Sequence, residues 1–349
     1  MNPQLVAGAP GEAEVAGFVA GWCREAGLDV EVDEVAPGRP NVVAVGRGRG
    51  GGRSLLLNAH TDTVGLGGPR AKARALVEGG RVYGRGAYDM KAGLAACMVT
   101  VAEAARRGLA GDVVLAAVVD EEVASIGTEA VVRAVEADAA IVPEPTDERI
   151  CVAHRGFAAF EVETLGRAAH GSRPDLGVDA IAHMGHVLVG IERLDRELRE
   201  EPRHPLLGSG SVHASLIEGG QEYSSYPARC VLRGERRIVP GESVEHVEEE
   251  LRALLEGVDG EARVTFARAP FEVSADEPIV QALRRNTAGA EVAGAAFWAD
   301  SGLLGEAGIP TVLFGPLGAG AHAEEEWVDA ASVERCARVL LATVAEFCG

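Results

Sequence analysis

Four short apolar runs in this chain end in side chains able to hold a cation or carry a proton, and that repetition limits what it can fold into. VVLAAVV, Val113 to Val119, passes straight into Asp120, Glu121 and Glu122. SLLLNAHTD ends in His60 and Asp62, AAIVPEPT carries Glu144, TVLFGPLGAGAH leads through Gly315 to His322, and GRGAYDMKAG sets Asp89 just before a helical pattern. Uninterrupted Val, Leu, Ala and Ile runs bounded by turn residues read as strands covered on both faces. In an open, mostly parallel sheet, ligands gather beyond the carboxyl ends of the strands. All of these polar residues are therefore expected at one edge.

The segments between the runs fit that reading. EAEVAGFVAGWCREAG repeats its apolar residues at helical spacing and stops at Gly27, and MKAGLAACMVTVAEAARRG does the same to Gly108. NVVAV and SLLLNAH are strands, and the glycine-rich GRGRGGGR between them predicts a hairpin turn. A phosphate-cradling loop at Gly46 to Gly52 would need a helix start or a GK[ST] after it, and neither is there. Alternating strands and helices predict an α/β class with a doubly wound, mostly parallel sheet and helices on both faces.

From about Gly156 the texture changes. GFAAFEVETLG, DAIAHMGHVLVGIERLDREL, SVHASLIEG, ARCVLRGERRIV, SVEHVEEELRALLEG and EARVTFARA give the order βαββαβ, the ferredoxin-like unit. We expect it to be inserted, with residues 156–267 forming one domain and residues 1–155 and 268–349 the other.

At 349 residues, with 47% hydrophobic residues, the chain can bury a sizeable core. Its formal net charge of -20 opposes nucleic acid and anionic membrane as partners. The six cysteines lie far apart, several in apolar stretches, which fits buried free thiols in a reducing compartment. The first residues show no basic segment ahead of an apolar one, and no apolar run approaches the roughly 20 residues that span a bilayer. A cytoplasmic protein is expected.

Two histidines and several carboxylates without a thiolate suit Zn²⁺, with Co²⁺ or Mn²⁺ as substitutes, and the number of acids suggests two ions sharing a bridging carboxylate. Carboxylates crowded at a strand edge would repel one another unless cations neutralised them. Adjacent side chains on an extended segment diverge, so Glu121 and Glu122 are unsuited to one ion and one of them is free to act on water. Each residue alone has a plainer explanation: His60 with Asp62 as a capped strand end, or the Glu121–Glu122 pair as a solvated helix start.

His60-Thr-Asp62, YDMK around Asp89, the paired Glu121 and Glu122, PEPT, AAHGSRPDLGVDAI and the late AH of His322 resemble the M20 metallopeptidase family, most closely its acetylornithine deacetylase and succinyl-diaminopimelate desuccinylase branch. The resemblance runs in order over nearly the whole chain. It implies a Zn-peptidase-like fold with an inserted dimerisation and lid domain, two Zn²⁺ per subunit, and a homodimer. It further implies that Asp89 bridges the ions, that His60 and Glu144 complete one site and Glu122 and His322 the other, and that Glu121 is the general base. Asp62 would fix the tautomer of His60.

By the same resemblance His170 stabilises an oxyanion in the neighbouring subunit, and Arg237, in RRIVPG, binds a substrate carboxylate, with Ser224 and Gly315 as further substrate contacts. Relatives usually carry Asn near Ser224, so this chain departs from the pattern there. The implied reaction is removal of an acetyl or succinyl group from an amino acid such as ornithine, in amino-acid biosynthesis. A dipeptidase or carboxypeptidase with the same site, and a deacylase acting on an amino acid held by a carrier protein, are the alternatives. Repulsion from the overall charge weighs against an acidic carrier.

Overall fold

Leu55–His60 and Val113–Val118 are strands in which every residue is buried. Each large aliphatic side chain that is fully covered, Leu55, Leu56, Leu57, Leu115 and Ile141 among them, contributes about 1.5–3 kcal/mol of transfer free energy. The computed structural model describes residues 1–68 and 75–349. They divide into two units: Met1–Val152, Val273–Ala293 and Ala299–Gly349 in the first, Ala153–Glu272 and Gly294–Trp298 in the second.

In the first unit the strand order is Asp29–Ala36, Arg39–Gly46, Val113–Val118, Leu55–His60, Ala139–Val142 and Thr311–Leu313. The last four run parallel. Antiparallel pairings flank this block, at Arg39–Gly46 on one side and at Leu313 with Cys151 on the other. Helices Ala92–Arg107 and Ala330–Phe347 pack against each other. They bury Leu94, Met98, Val101, Leu340 and Val344.

The expected hairpin between NVVAV and SLLLNAH does not form. Val113–Val118 lies between the two strands, antiparallel to the first and parallel to the second. The intervening glycines answer a different need. A side chain on Gly52 would stand 2.4 Å from the Gly111 nitrogen, so the linker can press against the turn before Val113 only without one.

A small antiparallel sheet orders Gly318–Ala319, Trp327–Asp329, Arg81–Tyr83 and Leu76–Glu78. It sets the segment leading into Asp89 beside the one that follows His322.

The second unit has the βαββαβ order: Gly156–Leu165, Ala180–Glu200, Ser211–Gly219, Arg229–Ile238, Val244–Ala253 and Gly260–Arg268. Its sheet is antiparallel, with Ser211–Gly219 and Gly260–Arg268 at the edges. Asp179 and Ser243 accept backbone N–H bonds from Ala182 and His246 and so cap the two helices. Phe160, Val162, Met184, Leu232, Val247 and Leu251 fill the core. Arg236, in the same unit, is fully buried and is held by Glu242 (2.8 Å) and Glu250 (3.0 Å).

All six cysteines are buried and free. Among the described residues no helix is long and apolar enough to cross a membrane.

Candidate metal centre

His60 is the last residue of its strand, Glu121 and Glu122 follow Val113–Val118, and Glu144 follows Ala139–Val142. Asp89 lies in the turn Ala87–Lys91 that opens into helix Ala92–Arg107. The parallel register aligns these strand ends, which is how residues far apart in sequence converge. His60 Nε2 is 3.1 Å from Asp89 Oδ1, and 3.8 Å from both Glu121 Oε2 and Glu144 Oε1. His322 Nε2 is 3.0 Å from Glu122 Oε2 and 3.3 Å from Asp89 Oδ2.

Two donor sets result. His60, Asp89 and Glu144 offer ligand atoms within 4.8 Å of one another, and so do Asp89, Glu122 and His322. Asp89 belongs to both. Glu121 belongs to neither, although it reaches His60.

Asp62 organises the approach to this cluster. It accepts the backbone N–H groups of Glu121 and Glu122 at 3.1 and 3.3 Å, and its Oδ1 lies 3.4 Å from His60 Nδ1. Gly315 packs against Glu144, where a Cβ would stand 2.0 Å from the Glu144 carbonyl oxygen. Its N–H donates to Thr146 Oγ1 at 2.9 Å. His322 adopts φ of 62°, a left-handed conformation that a non-glycine residue holds only when its surroundings fix it.

Burial and hydrogen bonding set the electrostatics. It pushes the carboxyls of Glu121 and Glu144 well above the usual glutamate range; His60 opposes the shift, and neighbouring carboxylates reinforce it. Burial disfavours charge on His60, yet its hydrogen bonds with Asp62 and Asp89 carry its pKa well above the ordinary imidazole value. Hydrogen bonds with Asp89 and Glu122 raise His322 to about 10.

The residues fit divalent cations. Glu144 Oε1 is buried without a hydrogen-bond partner among the described residues, and an oxygen so placed is costly unless something positive meets it. Imidazole and carboxylate donors without thiolate suit Zn²⁺, Co²⁺ or Mn²⁺.

The other expected site residues belong to the second unit. His170 is exposed, with Nδ1 2.8 Å from Ser172 Oγ. Ser224 donates its hydroxyl to Glu222 Oε1 at 3.3 Å, and its carbonyl accepts the N–H of Gly171. Arg237 pairs with Glu235 at 2.7 Å, and its guanidinium stands 5.5 Å from the Phe157 ring centre.

Several residues around the cluster escaped the sequence reading. Asn2, fully buried, donates Nδ2 to Asp62 Oδ2 at 2.8 Å and to Asp120 Oδ1 at 2.9 Å. Asp120 also takes Arg39 at 2.6 Å and Gln4 at 2.8 Å, so the first acid of the DEE run anchors the chain rather than joining the donors. Asp300 accepts from Thr128 Oγ1 at 2.6 Å and from Asn58, and burial holds its pKa above the usual value. Glu326 accepts from Arg85 Nη1 and from the backbone N–H groups of Gly86, Tyr88 and Asp89, at 2.6 to 3.0 Å. Local periodicity cannot signal partners so far apart in sequence.

Known proteins point the same way. The chain is 34% identical over 343 residues to a protein of Pyrobaculum aerophilum described as a putative LysW-lysine/LysW-ornithine hydrolase, covering 96% of this chain and 92% of that one. It is 32% identical over 364 residues to an acetylornithine deacetylase of Myxococcus xanthus, covering 100% and 93%. Among solved structures it is similar in fold to aminopeptidase PepT from Bacillus cereus, with a TM-score of 0.81, 18% identity, and coverage of 98% of this chain and 94% of that one. Residues 56–346 match peptidase family M20/M25/M40. With its strand-edge donors and that match, the chain belongs to peptidase family M20/M25/M40 and is a metal-dependent hydrolase acting on amides.

Proposed function

We propose that the protein removes an acetyl or succinyl group from the nitrogen of an amino acid such as ornithine, using two Zn²⁺ ions. The observation that carries the reading is the pair of donor sets that share Asp89. In this assignment His60 and Glu144 complete one site, and Glu122 and His322 the other. Bound divalent cations would supply a nucleophilic water near neutral pH and polarise the acyl carbonyl.

The chain's own residues do the rest. Glu121 takes a proton from the attacking water and returns it to the amine nitrogen as the C–N bond breaks. A carboxyl that burial holds above the usual range is suited to both transfers. Asp62 orients His60 through the far ring nitrogen. Arg237 would receive a substrate carboxylate with its planar fork, and Ser224 and Gly315 are assigned as further substrate contacts.

A homodimer is part of the reading, with His170 stabilising the oxyanion in the neighbouring subunit. Support comes from the edge strand Ser211–Gly219, where Leu216 is 63% exposed and Ile217 55%. Val189, on helix Ala180–Glu200, is 67% exposed as well. An open strand edge beside apolar side chains favours pairing with a second copy.

The likeness to the Pyrobaculum aerophilum protein favours a second reading: hydrolysis of lysine or ornithine from a carrier protein. Dipeptides are the third substrate class. Assays of the zinc-loaded protein on N-acetyl, N-succinyl and N-formyl amino acids, simple dipeptides and carrier-linked ornithine test the choice. Turnover of dipeptides alone would overturn the deacylase reading.

A further inference from the structure

We infer that the buried pair Arg85–Glu326 is a positioning device that sets Asp89 and His322 at the separation their shared donor set requires. The inference rests on the two-cation reading of the centre and assigns a task to residues outside the donor set.

Glu326 spends all its acceptor capacity on one turn. Oε1 takes the N–H groups of Tyr88 (2.8 Å) and Asp89 (3.0 Å), while Oε2 takes the N–H of Gly86 (3.0 Å) and Nη1 of Arg85 (2.6 Å). Three backbone donors converging on one carboxylate fix the path of the chain through Asp89, and charge-assisted bonds of this kind are about twice as strong as neutral ones. Gly86 holds φ of 79° in that turn, and a Cβ there would stand 2.6 Å from Thr63 Cγ2, so the path tolerates little displacement.

Arg85 reaches the other donor. Its Nη2 donates to the carbonyl of Ala323, next to His322, at 2.6 Å, and its Nε to the carbonyl of Gly65 at 2.9 Å. One guanidinium thus ties the turn carrying Asp89 to the loop carrying His322. The side chains of Arg85 and Glu326 are only 6% and 2% exposed. In this geometry the pair is not diluted by solvent, and loss of either member leaves the other buried without its partner.

A structural explanation alone would predict lower stability without a specific effect on the cations. Zinc affinity therefore decides. Metal-stripped wild type, Glu326→Gln and Arg85→Gln are titrated with Zn²⁺ against a chromophoric chelator, and the Co²⁺-loaded proteins are compared by visible absorption. Arg236→Gln, in the second unit, serves as a destabilised control.

Wild type is expected to bind two Zn²⁺. Glu326→Gln and Arg85→Gln should each weaken one or both of them about 10–100-fold and alter the Co²⁺ bands, and the double variant should lie within threefold of the weaker single. Arg236→Gln should bind as wild type does. Two Zn²⁺ bound with wild-type affinity by both Glu326→Gln and Arg85→Gln overturn the positioning role and leave the centre intact. A loss equal to that of Arg236→Gln overturns it too. Wild type that binds no Zn²⁺ overturns the centre itself, and this proposal with it. If Glu326→Gln does not fold, the Arg85→Gln titration decides by the same criteria.

Discussion

Asn2 donates its side-chain amide to Asp62 at 2.8 Å, and Asp62 in turn faces the ring nitrogen of His60 that points away from Asp89. Because the same amide reaches Asp120 at 2.9 Å, one neutral group separates two buried carboxylates. Replacing Asn2 with Ala leaves both acceptors short of a donor, which should cost about 1–3 kcal/mol. Urea unfolding measures it, and an unchanged midpoint at unchanged slope would show that water replaces the amide.

Glu121 stands beside the donor sets without joining either. Glu121→Gln keeps the shape and removes the proton acceptor, so turnover should fall about 10²–10⁴-fold while two ions per chain remain by elemental analysis. Loss of an ion instead would exchange the roles given to Glu121 and Glu122.

Removing the ions should cost stability as well as activity, because unfolding scatters the donors. A ligand that binds only the folded chain stabilises it by about 2.7 kcal/mol when its free concentration is 100 times Kd. Calorimetry should record a lower Tm after chelation and recovery on adding Zn²⁺. Coincident melting curves would contradict the assignment.

His170→Ala and Glu121→Gln should each be nearly inactive alone. If His170 acts across a dimer, unfolding and refolding the two together restores part of the activity, since one subunit keeps its base and its neighbour supplies the histidine. Leu216→Lys, at the open strand edge, should abolish that rescue and give a 36.2 kDa species by light scattering. Mixtures no better than their components would confine His170 to its own chain.

The buried Arg236 gives the second unit an acid-sensitive point. Burial works against charge on Glu242, yet bonds from Arg236 and the Val239 N–H prevail and hold its pKa below the usual glutamate value. A depressed folded pKa means this stability is present above the ordinary value of about 4.3 and is lost as pH falls through the folded one. Glu242→Gln should therefore be less stable at pH 7, with a flatter decline below pH 4.3. Parallel pH profiles would refute this.

What the sequence made legible was whatever leaves a local trace. The strand ends at His60, Glu121, Glu122 and Glu144 follow apolar runs, and the βαββαβ order follows changes of period. Strand pairing leaves no such trace. NVVAV and SLLLNAH, joined by glycines, fit a hairpin as well as the arrangement in which Val113–Val118 separates them. Asn2, Asp300 and Glu326 were illegible for a related reason: their partners lie 60 to 242 positions away. Asp120 was visible as an acid, but its left-handed backbone, φ of 73°, turns it toward Arg39 and Asn2 and away from the neighbours that resemble it.

The donors run from His60 to His322, with the whole of Ala153–Glu272 spelled between Glu144 and His322. A nascent chain therefore holds one full donor set, His60, Asp89 and Glu144, once Glu144 is made, while Asp89 and Glu122 wait for His322 through about half of the chain. Such distant partners meet late and slowly, so the pair of donor sets that the proposed reaction needs is complete only near the end of synthesis, and a half-made chain can offer a cation the first set alone.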